Sequence, residues 1–372
     1  MLPRDRLRRI RMELAQLFLE RDPVIDGALV ALLAGQHVLL IGPPGTAKSM
    51  LADELCRRLE GAQYFQWLLT KFTTPEELFG AVSLRALEAD EYRRVTAQKL
   101  PEAHIAFLDE VFKANSSILN SILTLMNERR FHNGRGVEDV PLITLFGASN
   151  ELPEDDELQA LYDRFLLRFV VDYIADDFRF LRMLQGRPAG ARTELTLIDL
   201  RSLQDDAGRV AVPQHVFRSL ADSRRELGRK QIVASDRRYH QAVGLLRAHA
   251  YLYDRDAVSE EDLFFLEHVL WHDPNERNEV RATIHQLLRG YEDEAKALLY
   301  QTQELRDYAH RQWDNSDLRS RAVVEAHTKI RNILAKVTTI LEEARTVGRP
   351  TERVQRVKDE IETIQQRMLE TL

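Results

Sequence analysis

The sequence predicts an α/β nucleotide-binding domain followed by all-helical segments. Three observations carry this. A glycine-rich loop, Gly42-Pro43-Pro44-Gly45-Thr46-Ala47-Lys48-Ser49, sits between an apolar run at 37–41 and a helix-like stretch that begins at Met50. A second apolar run, 104–108, ends in the adjacent acids Asp109 and Glu110. From residue 276 onward, apolar residues recur at helical spacing.

The loop has the physics of phosphate binding. Its backbone N–H groups, and the open N-terminus of the helix that follows, point at phosphate oxygens. Lys48 can reach the β- and γ-phosphates, and the Ser49 hydroxyl can ligate Mg²⁺. Ala47 stands where a second glycine usually precedes the lysine. Its Cβ restricts a left-handed backbone there, at roughly 1 kcal/mol if φ is positive.

Bulk composition narrows the class. A chain of 372 residues has room for two or three domains and a sizeable core. Apolar residues make up 44% and charged residues 30%, the balance of a soluble globular protein rather than a disordered one. A net charge of −7 argues against a protein built mainly to bind nucleic acid. The single cysteine, Cys56, excludes a disulfide framework and fits a reducing cytoplasm. No run of 18 apolar residues offers a membrane span, and the N-terminal residues read as lacking the apolar segment of a signal peptide.

Before the loop, Arg4, Arg6, Arg8, Arg9 and Arg11 alternate with Leu7, Ile10, Leu14, Leu17 and Phe18 in the pattern of an amphipathic helix. A basic helix of this kind can touch an anionic membrane. The nearby Glu13, Glu20 and Asp22 favour instead a helix packed on the nucleotide domain with a solvated basic face. Residues 22–34 form a second helix with Pro23 at its start. After the loop helix, 62–69 reads as a strand. Thr74-Pro75-Glu76-Glu77 starts a short helix that Gly80 stops, and 81–98 reads as a hairpin or loop.

In a parallel sheet the end of the 104–108 strand lies at the same edge as the phosphate loop. Asp109 can hold Mg²⁺, directly or through water, and Glu110 can orient or deprotonate an attacking water. A helix over 115–128 leads to the turn Asn133-Gly134-Arg135-Gly136 between short extended segments. The strand over 141–148 ends in Ser149-Asn150, where Asn150 can hydrogen-bond the attacking water or the γ-phosphate. Arg164 and Arg168, flanking the start of a strand over 166–171, are candidates for an arginine that reaches the γ-phosphate of a neighbouring subunit. Locally either can pair with Asp163, Asp172 or Asp176.

Residues 193–272 read as a small helical domain with helices over 212–227, 236–253 and 260–270, the last capped by Ser259. Arg237 lies in the first turn of the second, where a cation opposes the helix dipole and calls for an anionic partner such as phosphate. Arg238 competes for that role. Residues 276–309 supply a long helix. The stripes Ile330, Ile333, Val337, Ile340 and Val354, Val357, Ile361, Ile364, Met368 supply two more, separated by Val347-Gly348-Arg349-Pro350. They read as antiparallel helices packed by heptad stripes, a bundle serving as arm or spacer.

Together these residues resemble the AAA+ ATPases, and among them the MoxR family. GPPGTAKS with alanine before the lysine is typical of that family. So are TKFTTPEELFG at 70–80, FLDE at 107–110, NSSILNSILTLMNER at 115–129, GASNELP at 147–153 and LYDRF at 161–165. The likeness is strong over 20–175 and weaker over the helical lid, where Ser235-Asp236-Arg237-Arg238 stands in for the sensor motif. It implies an AAA+ domain with a parallel five-stranded sheet of order 5-1-4-3-2, an all-α lid and a C-terminal helical bundle, divided as 1–192, 193–275 and 276–372. It also implies a ring, usually hexameric, with ATP or ADP and Mg²⁺ at each subunit interface. Gly42, Pro43, Pro44, Gly45, Thr46, Ala47, Lys48, Ser49, Met50 and Asp109 would contact the nucleotide, and Ser49 and Asp109 would hold the metal. Glu110 would activate water, Asn150 position it, Arg164 or Arg168 act in trans, and Arg237 act from the lid in cis. The segments 70–80 and 129–140 correspond to insertions that face a pore or partner. The closest branch looks like the RavA type, although 311–317 is too short to hold that branch's inserted β-rich domain. The family usually works with a von Willebrand factor A domain protein, as a chaperone that remodels or matures protein complexes or inserts metal cofactors.

The leading expectation is a cytoplasmic ring ATPase acting on a protein substrate, with no nucleic acid and no stable membrane insertion. One alternative is a nucleotide-gated scaffold whose assembly, not turnover, matters. Another is a nucleic-acid motor, since helicase relatives share the inserted segments. The acidic balance and the absence of an aromatic-basic surface oppose the motor.

Overall fold

Short apolar strands without polar alternation need cover on both faces, which a parallel sheet flanked by helices provides. The computed structural model describes residues 2–153, 155–186, 192–310, 315–346 and 351–369. Helices α1 (Pro3–Leu17) and α2 (Asp22–Ala34) precede strand β1 (Val38–Ile41), and α3 (Lys48–Cys56) follows the glycine loop. Then come β2 (Tyr64–Leu68), β3 (Ile105–Asp109), α4 (Ser116–Glu128), β4 (Thr144–Ser149), α5 (Asp156–Arg164) and β5 (Leu167–Val170). The five strands form one parallel sheet, ordered β5-β1-β4-β3-β2. This is the 5-1-4-3-2 order that the resemblance implies. Val38, Leu39, Leu40, Ile105, Ala106, Leu145 and Phe146 are fully buried in it.

Register decides what meets at the sheet edge. Ile41 lies opposite Ser149, and Leu68 opposite Asp109. The glycine loop, the Asp109-Glu110 pair and Asn150 therefore leave the sheet at the same end.

The chain groups into two compact units, Met1–Val212 with Ala234–Arg277, and Pro213–Val233 with Asn278–Leu372. In the first, helices α6 (Leu197–Gly208) and α8 (Asp236–Leu252) pack with α1 and α2. Leu7, Ile10 and Leu14 of α1 are buried, and its arginines are engaged within the unit rather than left on a free basic face. Arg6 pairs with Asp199 at 2.8 Å, Arg11 with Asp26 at 2.9 Å, and Arg4 donates to the Tyr251 carbonyl at 3.0 Å while lying over its ring. No described helix is long and apolar enough to cross a membrane.

The second unit holds α7 (Gln214–Arg229), α9 (Arg277–His310), α10 (Ser316–Thr346) and α11 (Glu352–Leu369). Compactness does not follow chain order here, since α7, read in sequence beside the lid helices, groups with the C-terminal ones. The two stripes bury as the spacing requires: Ile330, Ile333, Val337 and Ile340 meet Val354, Ile361, Ile364 and Met368, with Ala295 and Leu298 from α9. The expected turn at 347–350 and the short segment at 311–314 lie outside the described residues.

Local readings differ from the structure in three places. Residues 81–98 hold both a bridge, Val82 to Arg94, and a short helix, Leu84–Glu88, which Ser83 caps by accepting the Ala86 N–H at 3.3 Å. The expected helix over 260–270 is α-helical only over Glu260–Leu263 and continues as a 3₁₀ helix over Phe264–His268. Helix α6 was not expected, although its capping box, Thr196 with Asp199, is present in the sequence.

The inserted segments are fastened by amide side chains. The hairpin Arg130–Asn133 with Gly136–Asp139 turns at Gly134, whose φ is 66°. Buried Asn133 accepts the Arg94 N–H at 2.7 Å and donates to the Arg94 carbonyl at 3.2 Å. Asn115 accepts the Ile118 N–H in capping α4 and donates to the Thr73 carbonyl at 2.8 Å.

His37 ties this body to the sheet. The Leu145 N–H donates to Nδ1 at 2.9 Å, while Nε2 lies 3.1 Å from the Met126 carbonyl and 2.7 Å from an Arg129 guanidinium nitrogen. Burial, with the Arg129 guanidinium beside it, pushes the imidazole pKa down from 6.5 to about 3. An unfolded chain then binds one more proton than the folded chain between those values. The stability that neutral His37 contributes is present above pH 6.5 and is lost as pH falls toward 3. The expected outcome is a fall of up to about 1.4 kcal/mol per pH unit from this residue, and His37→Gln should remove that share of the slope. Urea unfolding at several pH values between 5 and 6.5 checks it, and an unchanged slope in the variant refutes it.

Candidate nucleotide-binding site

The glycine loop runs from β1 to α3 without regular structure. Gly42 has φ 151°, and a Cβ there would sit 2.1 Å from the Val171 carbonyl oxygen, so that position accepts no side chain. Gly45 has φ 81° with open space around its Cβ position, the kind of cradle into which a phosphate fits. Ala47 has φ 64°, the left-handed conformation whose cost the sequence anticipates. Thr46 Oγ1 donates to the Pro43 carbonyl at 3.0 Å and braces the turn. Lys48 is buried at the start of α3, and its Nζ donates to the Gly42 and Pro43 carbonyls, each at 2.7 Å. Burial lowers its pKa, and the carboxylates of Asp109 and Glu110 oppose that shift. The lysine head group thus lies in the field of both acids.

At the end of β3, Asp109 accepts the Glu110 N–H at 3.1 Å. Glu110 takes a left-handed backbone, φ 51°, which turns its carboxylate along the sheet edge. There Asn150 Nδ2 donates to its Oε1 at 3.0 Å, and Lys113 lies 3.2 Å from its Oε2. The structure so brings Lys48, Asp109, Glu110 and Asn150 together. The donors fit nucleotide and Mg²⁺: a loop of open N–H groups, one ammonium, and the hard oxygens of Ser49 and Asp109. Among the described residues no group of three or more His, Cys, Asp or Glu could hold a metal alone. Mg²⁺ at a nucleotide takes its remaining ligands from water and phosphate.

The four arginines separate clearly. Arg168 on β5 is 1% exposed, stacked 3.8 Å over the Tyr162 ring, and donates to the Trp271 and Tyr162 carbonyls. Burial first, and Arg238 next, push its pKa down to about 9. A guanidinium so enclosed does not reach another chain, and this corrects its candidacy as a trans-acting group. Arg238 is equally buried and donates to the Val269, Phe165 and Leu166 carbonyls. Arg237 is half-buried and pairs with Asp163, which also accepts from Arg238. The anion that its unfavourable helix position calls for is therefore, in this structure, a carboxylate from α5. Arg164 is half-buried at the C-terminus of α5, and its Nε is buried without a hydrogen-bond partner.

Beside the loop lies a cavity of ≈ 600 Å³, lined by Leu17, Phe18, Met50, Tyr173, Ile174, Phe180 and Met183 among others. Its volume and apolar lining suit a nucleobase. Of these residues only Met50 is among those expected from sequence. The others come from the end of α1, from the extended residues Tyr173 and Ile174, and from a helix over Asp177–Leu184. Their one sequence signal is the excess of large apolar residues on that helix.

A parallel sheet of this order, with a phosphate loop and acids at one edge and helices beyond, defines an AAA+ module. The chain belongs to the MoxR family: a model described as the MoxR domain in the MoxR-vWA-beta-propeller ternary systems matches residues 5–203. An AAA lid domain model matches residues 215–284. An uncharacterized protein of Methanocaldococcus jannaschii is 44% identical over 270 residues, 72% of this chain and 70% of its own. A second from that organism is 42% identical over 280 residues, 75% of this chain and 74% of its own. Chaperone MoxR1 of Mycobacterium tuberculosis is 26% identical over 222 residues, 58% of this chain and 57% of its own. A Cytophaga hutchinsonii crystal structure with a provisional ATPase name matches with a TM-score of 0.62 at 17% identity, covering 77% of this chain and 94% of that one, a likeness of fold alone.

Replacing Ala47 by glycine should relieve its left-handed backbone. An Ala→Gly change usually destabilises a helix. Here the expected outcome is a gain of roughly 0.5 kcal/mol in unfolding free energy, measured in urea. A loss of stability would refute it.

Proposed function

We propose that the chain is a Mg²⁺-dependent ATP hydrolase that works as a hexameric ring and couples turnover to remodelling or maturation of a partner protein complex. The observation that carries this is the meeting of Lys48, Asp109, Glu110 and Asn150 at one sheet edge, with Asn150 donating to Glu110 at 3.0 Å. Bound Mg²⁺ and ATP supply a polarised γ-phosphate. The loop 42–50 cradles the phosphates, Lys48 neutralises them, and Ser49 and Asp109 hold the metal. Glu110 takes the proton of the attacking water, and Asn150 orients both. Arg237 acts from the lid in cis by exchanging Asp163 for phosphate. Arg164 acts in trans, a role its half-buried position supports over the fully enclosed Arg168.

In this reading 1–192 is the nucleotide domain, 193–275 the lid and 276–372 an arm. The helical C-terminal residues are what favours a RavA-like branch. A von Willebrand factor A domain protein is the proposed partner, because the matching family model is described in such systems. The proposed location is the cytoplasm. A second reading, a nucleotide-gated scaffold with little turnover, draws on one feature: both Glu110 oxygens are engaged, by Asn150 and Lys113.

Glu110→Gln should retain ATP and reduce steady-state hydrolysis by at least about a hundredfold. Phosphate release assays check this, and unchanged turnover would sink the assignment. Arg164→Ala should abolish hydrolysis while nucleotide still binds, and mixing it with Lys48→Ala should restore part of the activity. No restoration under conditions where subunits exchange would remove the trans role. Arg168→Ala, by contrast, should lower the unfolding free energy by about 2 kcal/mol or more, since it empties a buried, hydrogen-bonded site.

A further inference from the structure

One wall of the nucleobase cavity is not part of the sheet. The Val171 N–H donates to the Ile41 carbonyl at 2.8 Å and closes the β1–β5 ladder. Beyond it the chain runs over the cavity as residues 172–176, then as the helix Asp177–Leu184, bringing Tyr173, Ile174, Phe180 and Met183 to the lining. Side chains of the turn after α1 hold this segment in place. Glu20 Oε2 accepts the Ala175 N–H at 2.9 Å, and Oε1 accepts the Asp176 N–H at 3.0 Å. Arg179, on the same segment, lies 3.8 Å from that second oxygen. Arg21 adds a tie by donating to the Asp172 carbonyl. Glu20 itself has φ 59°, a left-handed turn that swings its carboxylate across to the far wall. Leu17, Phe18 and Leu19, on the near wall, stand directly before it in the chain.

One carboxylate therefore joins the two walls, with two backbone donors and a cation on the far side. We propose that Glu20 is the latch of the nucleobase cavity and sets the rate at which nucleotide leaves. This rests on the nucleotide reading above and adds a positioning residue to it. Glu20 touches neither phosphate loop nor acids. It acts through the wall that it holds, and when it lets go, Ile174, Phe180 and Met183 move off the base, while Tyr173, whose hydroxyl donates to the Pro44 carbonyl at 3.4 Å, stays with the phosphate cradle. The backbone N–H groups of Ala175 and Asp176 hold its carboxyl below the usual carboxylate range, so the latch is charged at neutral pH.

Stopped-flow release of mant-ADP, chased with excess ADP, tests this on the full chain. Glu20→Gln keeps the shape but not the charge, and release should be about five- to tenfold faster than from the native chain. Mg-tripolyphosphate, which lacks base and ribose, should bind both proteins alike. Glu20→Asp keeps the charge on a shorter stem and should fall between them. Equal release from the native chain and Glu20→Gln overturns the latch. A matching loss of tripolyphosphate binding also overturns it, since the substitution would then act on the whole site. If Glu20→Gln does not fold, Arg179→Ala carries the test, with a smaller acceleration expected and none as the refuting result. Failure of the native chain to hold mant-ADP at all refutes the nucleotide reading itself, before any variant is compared.

Discussion

The site depends on the register of three parallel strands. Lys48, Asp109, Glu110 and Asn150 come from segments far apart in sequence, and no local interaction gathers them. Ile41 opposite Ser149 and Leu108 opposite Gly147 bring their strand ends to one line. A slip of one residue would offset the strand ends from one another and scatter these groups. The apolar strand interiors and the polar strand ends thus serve one arrangement: burial fixes the register, and the register fixes the chemistry.

Asp163 organises the cations in a comparable way. Four arginines lie near the end of α5, and one carboxylate serves two of them, Arg237 and Arg238. Arg168 is satisfied by carbonyls and an aromatic face instead. Buried cations without a partner are strongly disfavoured, so each of these is spent on structure to the degree that it is enclosed. Arg164 and Arg237, the two half-buried ones, keep the freedom that a role at phosphate requires.

Much of this was legible in the sequence. The glycine loop, the acids after 104–108 and the heptad stripes each carry a local physical signature, and the strand order followed from the family likeness. The sequence marked Ala47 as a residue that would be strained if left-handed, and its φ of 64° meets that condition. Sequence could not separate Arg164 from Arg168, because their difference is burial against Tyr162 on the preceding helix and Trp271 from a distant segment. It likewise left Arg237 and Arg238 in competition until Asp163 and the carbonyls around Arg238 were placed. The far wall of the cavity was invisible for the same reason: Tyr173 and Phe180 look like ordinary surface residues until the fold sets them across from Phe18. Helix α6 is a different case, since its Thr196–Asp199 capping box is a local signal present in the sequence.

Asn133 has a mechanical consequence. Its amide fastens the hairpin to Arg94, Arg94 in turn donates to the Gly80 carbonyl at 2.8 Å, and Phe79 stacks on Phe131 with ring centres 5.5 Å apart. Asn115 then fastens the Thr73 carbonyl to the start of α4, five residues past Glu110. The two insertions are thereby one rigid bracket gripping α4 at both ends. A load pressed on the hairpin tip is not absorbed by a flexible loop: it becomes a torque on α4, and through it on the strand end that carries the acids.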